Sequence, residues 1–203
     1  MSPILVRPVR EQLEHDRVIR QLQAKYKRSF TVAVNPGGEQ TASVGTAPDL
    51  LYPDLVLTSL KSSKKLEGVI EVETSESVNQ LEAMAQWARL GRLPVEFILY
   101  VPSGSAGVAR RLCNDHRIGV TQIWTYHTIG DQPRWARVHA SALAEKLSAA
   151  RAAAAEVKRA SAREAEAARA PSGRGKARVA TAKPAAKRIA KPAVAKRPAS
   201  KKR

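Results

Sequence analysis

Apolar side chains at Val18, Ile19, Leu22 and Tyr26 recur at helical spacing with charged residues between them, so a helix is predicted from about Pro8 to Arg28. Glu11 and His15 fall on the same side of that helix as Val18 and Leu22, and Glu14 falls at its edge. The pattern then shortens. Phe30 to Val34 reads as a strand ended by Asn35-Pro36-Gly37-Gly38, Leu51 to Leu57 as a second strand, and Gly68 to Thr74 as a third. The short polar connection Lys61-Ser62-Ser63-Lys64-Lys65 predicts antiparallel pairing of the second and third strands.

Ser77 is placed to cap a helix from about Val78 to Leu90, closed by Gly91. Val95 to Val101 is the most continuously apolar run and reads as a central strand buried on both faces. A helix through Val108 to His116 and a strand from Gly119 to Tyr126 follow. The sum is an α/β domain over residues 1–133, a mixed central sheet with helices in the order αβββαβαβ. From about Trp135 the chain turns alanine-rich and predicts a charged helix over residues 134–169. Its stripe, Leu143, Leu147, Ala150, Ala154 and Val157, is short for a coiled coil; the reading is a helix packed on its own domain or running into solvent, with a homodimer as the alternative.

Charge changes the picture. Of the formal net charge of +17, residues 1–140 hold little, with 17 Lys and Arg against 14 Asp and Glu. Residues 170–203 hold 12 cations and no acid: Arg174, Lys176, Arg178, Lys183, Lys187, Arg188, Lys191, Lys196, Arg197, Lys201, Lys202 and Arg203. Such a segment repels itself and has little apolar surface to bury, so it reads as a disordered tail whose partner is a polyanion. The imperfect repeat of Lys183-Pro184-Ala185, Lys191-Pro192-Ala193 and Arg197-Pro198-Ala199 resembles linker-histone tails, which implies phosphate contacts blind to sequence and favours DNA over RNA. With no Trp, Phe or Leu beside its charges, the tail is a poor membrane ligand. The single cysteine, Cys113, excludes an internal disulfide and a Cys-rich zinc site. No apolar run is long enough to span a bilayer, and the first ten residues do not read as a signal peptide. The expectation is a cytoplasmic protein, associated with the nucleoid in a bacterial cell.

Three acids suggest chemistry. Glu71 and Glu73, two apart on one strand, share a face, and pairing with the strand that carries Asp54 would let all three carboxylates converge. Crowded carboxylates need a cation, and Mg²⁺ takes one or two of them with waters and phosphate oxygens. A solvated face of a half-exposed sheet would carry the same spacing. Pro53-Asp54, followed after 17 residues by Glu71-Val72-Glu73, resembles the PD-(D/E)xK signature of the restriction-endonuclease-like nuclease superfamily, and the predicted element order resembles that superfamily's core. The resemblance spans roughly Pro8 to His127. It implies a Mg²⁺- or Mn²⁺-dependent endonuclease or exonuclease with Asp54 and Glu71 as metal ligands, Glu73 in the third motif position, and an acid from the first helix. Glu14 is assigned that role, with Glu11 close behind. Gln80 or Gln86 would match the glutamine that a later helix sometimes supplies. Glu73 departs from the family's usual lysine, which keeps a second reading open: a nucleic-acid-binding protein that retains the fold without turnover. His15 reads as structural, Lys61, Lys64 and Lys65 as a solvated turn, and Trp87, Trp124 and Trp135, one to an element, as packing residues before base-stacking ones.

Overall fold

The computed structural model describes residues 8–62, 65–129 and 132–169. Two compact units divide the chain, Met1–Arg159 and Ala160–Arg203. The architecture below is that of the first; in the second, the described residues are helical.

The first unit is α/β, built on one six-stranded mixed sheet. Helix α1 (Val9–Tyr26) leads into strands β1 (Phe30–Val34), β2 (Leu55–Ser59) and β3 (Leu66–Val72), an antiparallel meander. A helix over residues 80–90 (α2) then crosses to β4 (Glu96–Pro102), which pairs parallel to β3. Helix α3 (Ala106–Asp115) crosses to β5 (Gln122–Ile129), parallel to β4, and β6 (Gln132–Ala140) returns antiparallel along β5. Helix α4 (Ala142–Arg169) follows. The sheet therefore runs β1-β2-β3-β4-β5-β6 with only the parallel steps needing helical crossovers.

Two apolar layers sandwich it. On one face, Val18, Ile19 and Leu22 of α1 pack on Leu55, Leu57, Ile70, Val72, Ile98, Tyr100 and Tyr126. On the other, Trp87 and Leu90 of α2 and Ala109 and Cys113 of α3 pack on Val56, Val69, Phe97, Leu99, Val101 and Ile123. Alternation along β3 deals Ile70 and Val72 to the first layer and Val69 to the second. The end of α2 is held close by glycine: a Cβ at Gly119 would lie 2.6 Å from the Gly91 carbonyl oxygen.

Three expectations change. Residues 134–140, predicted as the start of a helix, are most of β6, so the sheet runs past residue 133 and the helix begins at Ala142. Tertiary pairing overrides alanine's helical preference here, because Trp135 closes on the rings of Tyr100 and Tyr126. The second strand starts at Leu55 rather than Leu51; Leu51 instead bridges Val44, and Pro53 has no N–H to carry a ladder. Ser77 does not cap α2. Asn79 does, accepting the Glu82 N–H at 3.0 Å, while the Ser77 hydroxyl accepts the Thr74 N–H at 2.8 Å. Within α2 the hydrogen bonding slips from an α turn at Gln80–Glu82 to a π turn at Ala83–Trp87 and back at Ala88–Leu90.

Among the described residues no helix is long and apolar enough to cross a membrane.

Candidate active site at the end of strand β3

The antiparallel register sets Leu55 opposite Ile70, which brings Asp54 and Glu71 face to face across β2 and β3. The Asp54 N–H lies 3.4 Å from Glu71 Oε2, and Asp54 Oδ2 accepts the Val72 N–H at 2.8 Å. Asn35, itself 3% exposed, fixes the approach to Asp54. Its Nδ2 donates to the carbonyls of Ala42 and Pro53, each at 2.7 Å, and its own N–H donates to the Asp54 carbonyl at 2.9 Å. The Pro53-Asp54 dipeptide is thus held by a side chain from the end of β1.

From the helix side, His15 closes on the same carboxylate. Its Nε2 is 3.2 Å from Asp54 Oδ2 and 3.1 Å from the Val72 carbonyl oxygen. A carbonyl only accepts, so Nε2 carries the proton and donates. Nδ1 faces Asp16 Oδ1 at 3.4 Å, an oxygen that also accepts the Gly37 N–H at 2.9 Å. Gly37 turns through φ +65°, a conformation that favours glycine, and so brings its N–H to Asp16.

The chain leaving β3 is pinned residue by residue. The Glu73 N–H donates to the Tyr100 carbonyl at 2.8 Å, and the Glu73 carbonyl accepts from the Tyr126 hydroxyl at 2.7 Å. The Thr74 hydroxyl donates to the Glu11 carboxylate. Side chains from α1, β2 and β5 therefore converge where β3 ends; Asp54 is buried there beside His15, and Glu71 is buried against the Asp54 N–H.

Of the predicted site residues, Asp54 and Glu71 come together. Glu73 does share a face with Glu71, but that face turns into the α2 layer: its Oε1 accepts the Trp87 indole N–H at 2.6 Å, and the residue is fully buried. Glu14 is exposed on α1, in a groove with Arg10, Leu13, Arg17 and Thr128. Glu11 is the helix acid that reaches the end of β3, because positions 11, 15, 18 and 22 share the inward stripe. Gln80 and Gln86 are exposed. Lys65 pairs with Glu67 at 2.9 Å, and Lys64 lies outside the described residues. The twelve basic residues from Arg174 to Arg203 also lie outside them. Sequence reasoning passed over Asp16, Asn35 and Thr74, none of which stands in a recognisable motif.

The donor set decides what the site can hold. Both described hydrogen bonds to the Asp54 carboxyl converge on Oδ2, and Oδ1 accepts none among the described residues. Two oxygen-only carboxylates with one such atom suit a hard divalent cation that keeps several waters. A three-acid centre does not fit: among the described residues no group of three or more His, Cys, Asp or Glu side chains is arranged to hold a metal ion.

Compared with known proteins, the chain matches no family model, no curated protein and no solved structure.

Proposed function

We propose that the chain is a restriction-endonuclease-like, Mg²⁺- or Mn²⁺-dependent nuclease that hydrolyses phosphodiesters of DNA, held to its substrate by the basic segment 170–203. The observation that carries the reading is the pairing of Asp54 with Glu71 across β2 and β3, beside the backbone of Val72. The element order supports it: a helix, an antiparallel three-strand meander, a crossover helix and a parallel fourth strand are what the PD-(D/E)xK resemblance implies.

In this reading Asp54 and Glu71 would hold the metal, which would supply the positive charge that polarises a scissile phosphate and acidifies water. His15 orients Asp54 by donating to Oδ2, which leaves Oδ1 for the metal. Glu11, through Thr74, braces the chain just past Glu73. Glu73 serves the fold. The 12 cations of residues 170–203 supply sequence-blind affinity, lost with rising salt by a slope of roughly −0.9 per phosphate neutralised. The protein is cytoplasmic, where such a segment meets DNA.

A second reading is favoured by one observation. Glu73 stands where the family usually has lysine and is committed to Trp87, so the cation that would orient water is missing from that position. On that account the domain binds nucleic acid without cutting it.

Asp54→Asn separates the two, since an amide oxygen still accepts the Val72 N–H while the metal-binding charge is gone. Incubated with single- and double-stranded DNA in Mg²⁺ or Mn²⁺, the parent chain cleaves and the variant binds without cleaving. Binding without cleavage by both would replace the nuclease with the non-catalytic reading.

A further inference from the structure

Helix α1 packs on one face of the sheet. Its apolar stripe shares a layer with side chains of β2, β3, β4 and β5, and among the described residues it is the only helix contributing to that layer. Over β4, β5 and β6 the same face ends in aromatic rings. Tyr100 and Tyr126 are buried, and the partly exposed Trp124 and Trp135 lie with them. Trp124 stacks on Tyr100 at 6.0 Å and 16°, and Trp135 meets Tyr100 edge-on at 5.4 Å.

Two cations rest on this aromatic floor. The Lys25 ammonium, from the last turn of α1, is 4.3 Å from the Trp124 ring centre and 3.0 Å from the Tyr100 hydroxyl. The Arg137 guanidinium, from the cross-strand partner of Trp124, is 6.0 Å from the same ring. Neither has a carboxylate partner among the described residues. Cation–π attraction holds each in place but leaves its charge uncompensated. Burial strips water from the Lys25 ammonium and lowers its pKa. Farther along α1, Arg10 and Arg17 line a groove with Thr128 of β5, Glu14 being the acid among them. That end of α1 also carries Glu11 and His15, which engage Thr74 and Asp54.

We infer that the aromatic end of this sheet face, beside the last turn of α1, is a binding surface for single-stranded nucleic acid, its phosphates taken by Lys25 and Arg137 and its bases stacked against Trp124 and Trp135. Partly exposed indoles beside cations without a carboxylate partner match a single strand better than either alternative. A duplex hides its base faces, and an acidic peptide has charge to offer but no flat rings to stack. The inference rests on the nuclease reading only for the direction of the strand, which would pass along α1 from the Asp54 site; the surface itself does not require cleavage.

The test uses the full chain carrying Asp54→Asn, so that no substrate is consumed, and follows tryptophan emission, which the basic tail cannot report because it has no tryptophan. An oligothymidylate of about 20 nucleotides is expected to quench the emission, and Lys25→Glu with Arg137→Glu to shift the titration by at least about tenfold. Binding of a duplex of the same length, measured by anisotropy, should change less than the single-strand titration does. Should the double variant fail to fold, Arg137→Glu alone, on the exposed edge strand, must shift it in the same direction. An unchanged oligothymidylate titration in a folded variant overturns the inference, and so does polyglutamate quenching with the same dependence on Lys25 and Arg137, which would mark a protein partner. Cleavage by the parent chain that is indifferent to Lys25 and Arg137 removes this surface and leaves the nuclease; absence of cleavage with the tenfold shift intact does the reverse.

Discussion

The Glu73 carboxylate accepts the Trp87 indole N–H at 2.6 Å, with both side chains at 0% exposure. A carboxylate acceptor in so dry a place makes a strong hydrogen bond and a costly one to break. It fastens α2 to the sheet two residues beyond Glu71. Trp87→Phe keeps most of the ring's packing but strands the acid, and is expected to cost roughly 2–4 kcal/mol in urea denaturation. Glu73→Gln keeps an acceptor for the indole and should cost less than Trp87→Phe. Equal losses in the two variants would show that packing, not this hydrogen bond, sets the stability.

Glu11 and Glu14 make a sharper pair than their spacing suggests. Glu11 accepts from the Thr74 hydroxyl, whereas Glu14 is exposed. Glu14→Ala is expected to change stability by less than about 0.5 kcal/mol and leave cleavage intact. Glu11→Ala should lower both the denaturation midpoint and the cleavage rate. A loss of cleavage in Glu14→Ala at unchanged stability would return the helix acid to position 14.

His15 is the sole described side-chain donor to Asp54. His15→Phe removes the donor from both Asp54 Oδ2 and the Val72 carbonyl and buries them without it, a loss of about 2–4 kcal/mol. If His15 also orients Asp54, His15→Gln, which restores a donor, will recover part of the stability and part of the Mn²⁺ affinity measured by titration. Stability recovered without any change in metal affinity would confine His15 to the fold.

Cys113 sits in the α3 layer, 4% exposed, and burial pushes its thiol up to about 11 from an ordinary 9.0. The folded chain therefore keeps this proton where the unfolded chain loses it. Stability from this group is full below pH ~9 and falls as pH rises toward ~11, by about 2–3 kcal/mol at most. Denaturation midpoints of the parent and of Cys113→Ala should converge over that window. A thiol reagent at pH 8 should modify the unfolded chain far faster than the native one.

Much of this fold was legible from local pattern. The stripe at positions 11, 15, 18 and 22 places α1 correctly, and the Pro53-Asp54 and Glu71 spacing anticipates their juxtaposition across β2 and β3. What escaped depended on tertiary partners. Strand β6 was hidden because Trp135 to Ala140 borders an alanine-rich run, although Gly130-Asp131 between Ile129 and Gln132 is a two-residue hairpin signal. Glu73 lies on the expected face, yet nothing in its neighbours says that the face meets an indole rather than water. The tie between His15 and Asp54 spans 39 residues, beyond the reach of any local rule.

The π turn at Ala83–Trp87 has a consequence of phase. A turn that closes over one more residue advances everything downstream by about 100° around the helix axis. Trp87, the last residue of that turn, meets Glu73 there, so deleting Ala85 would let the helix close as a regular spiral and rotate the indole off the acid. The length of this segment, as much as its composition, is what the buried carboxylate depends on.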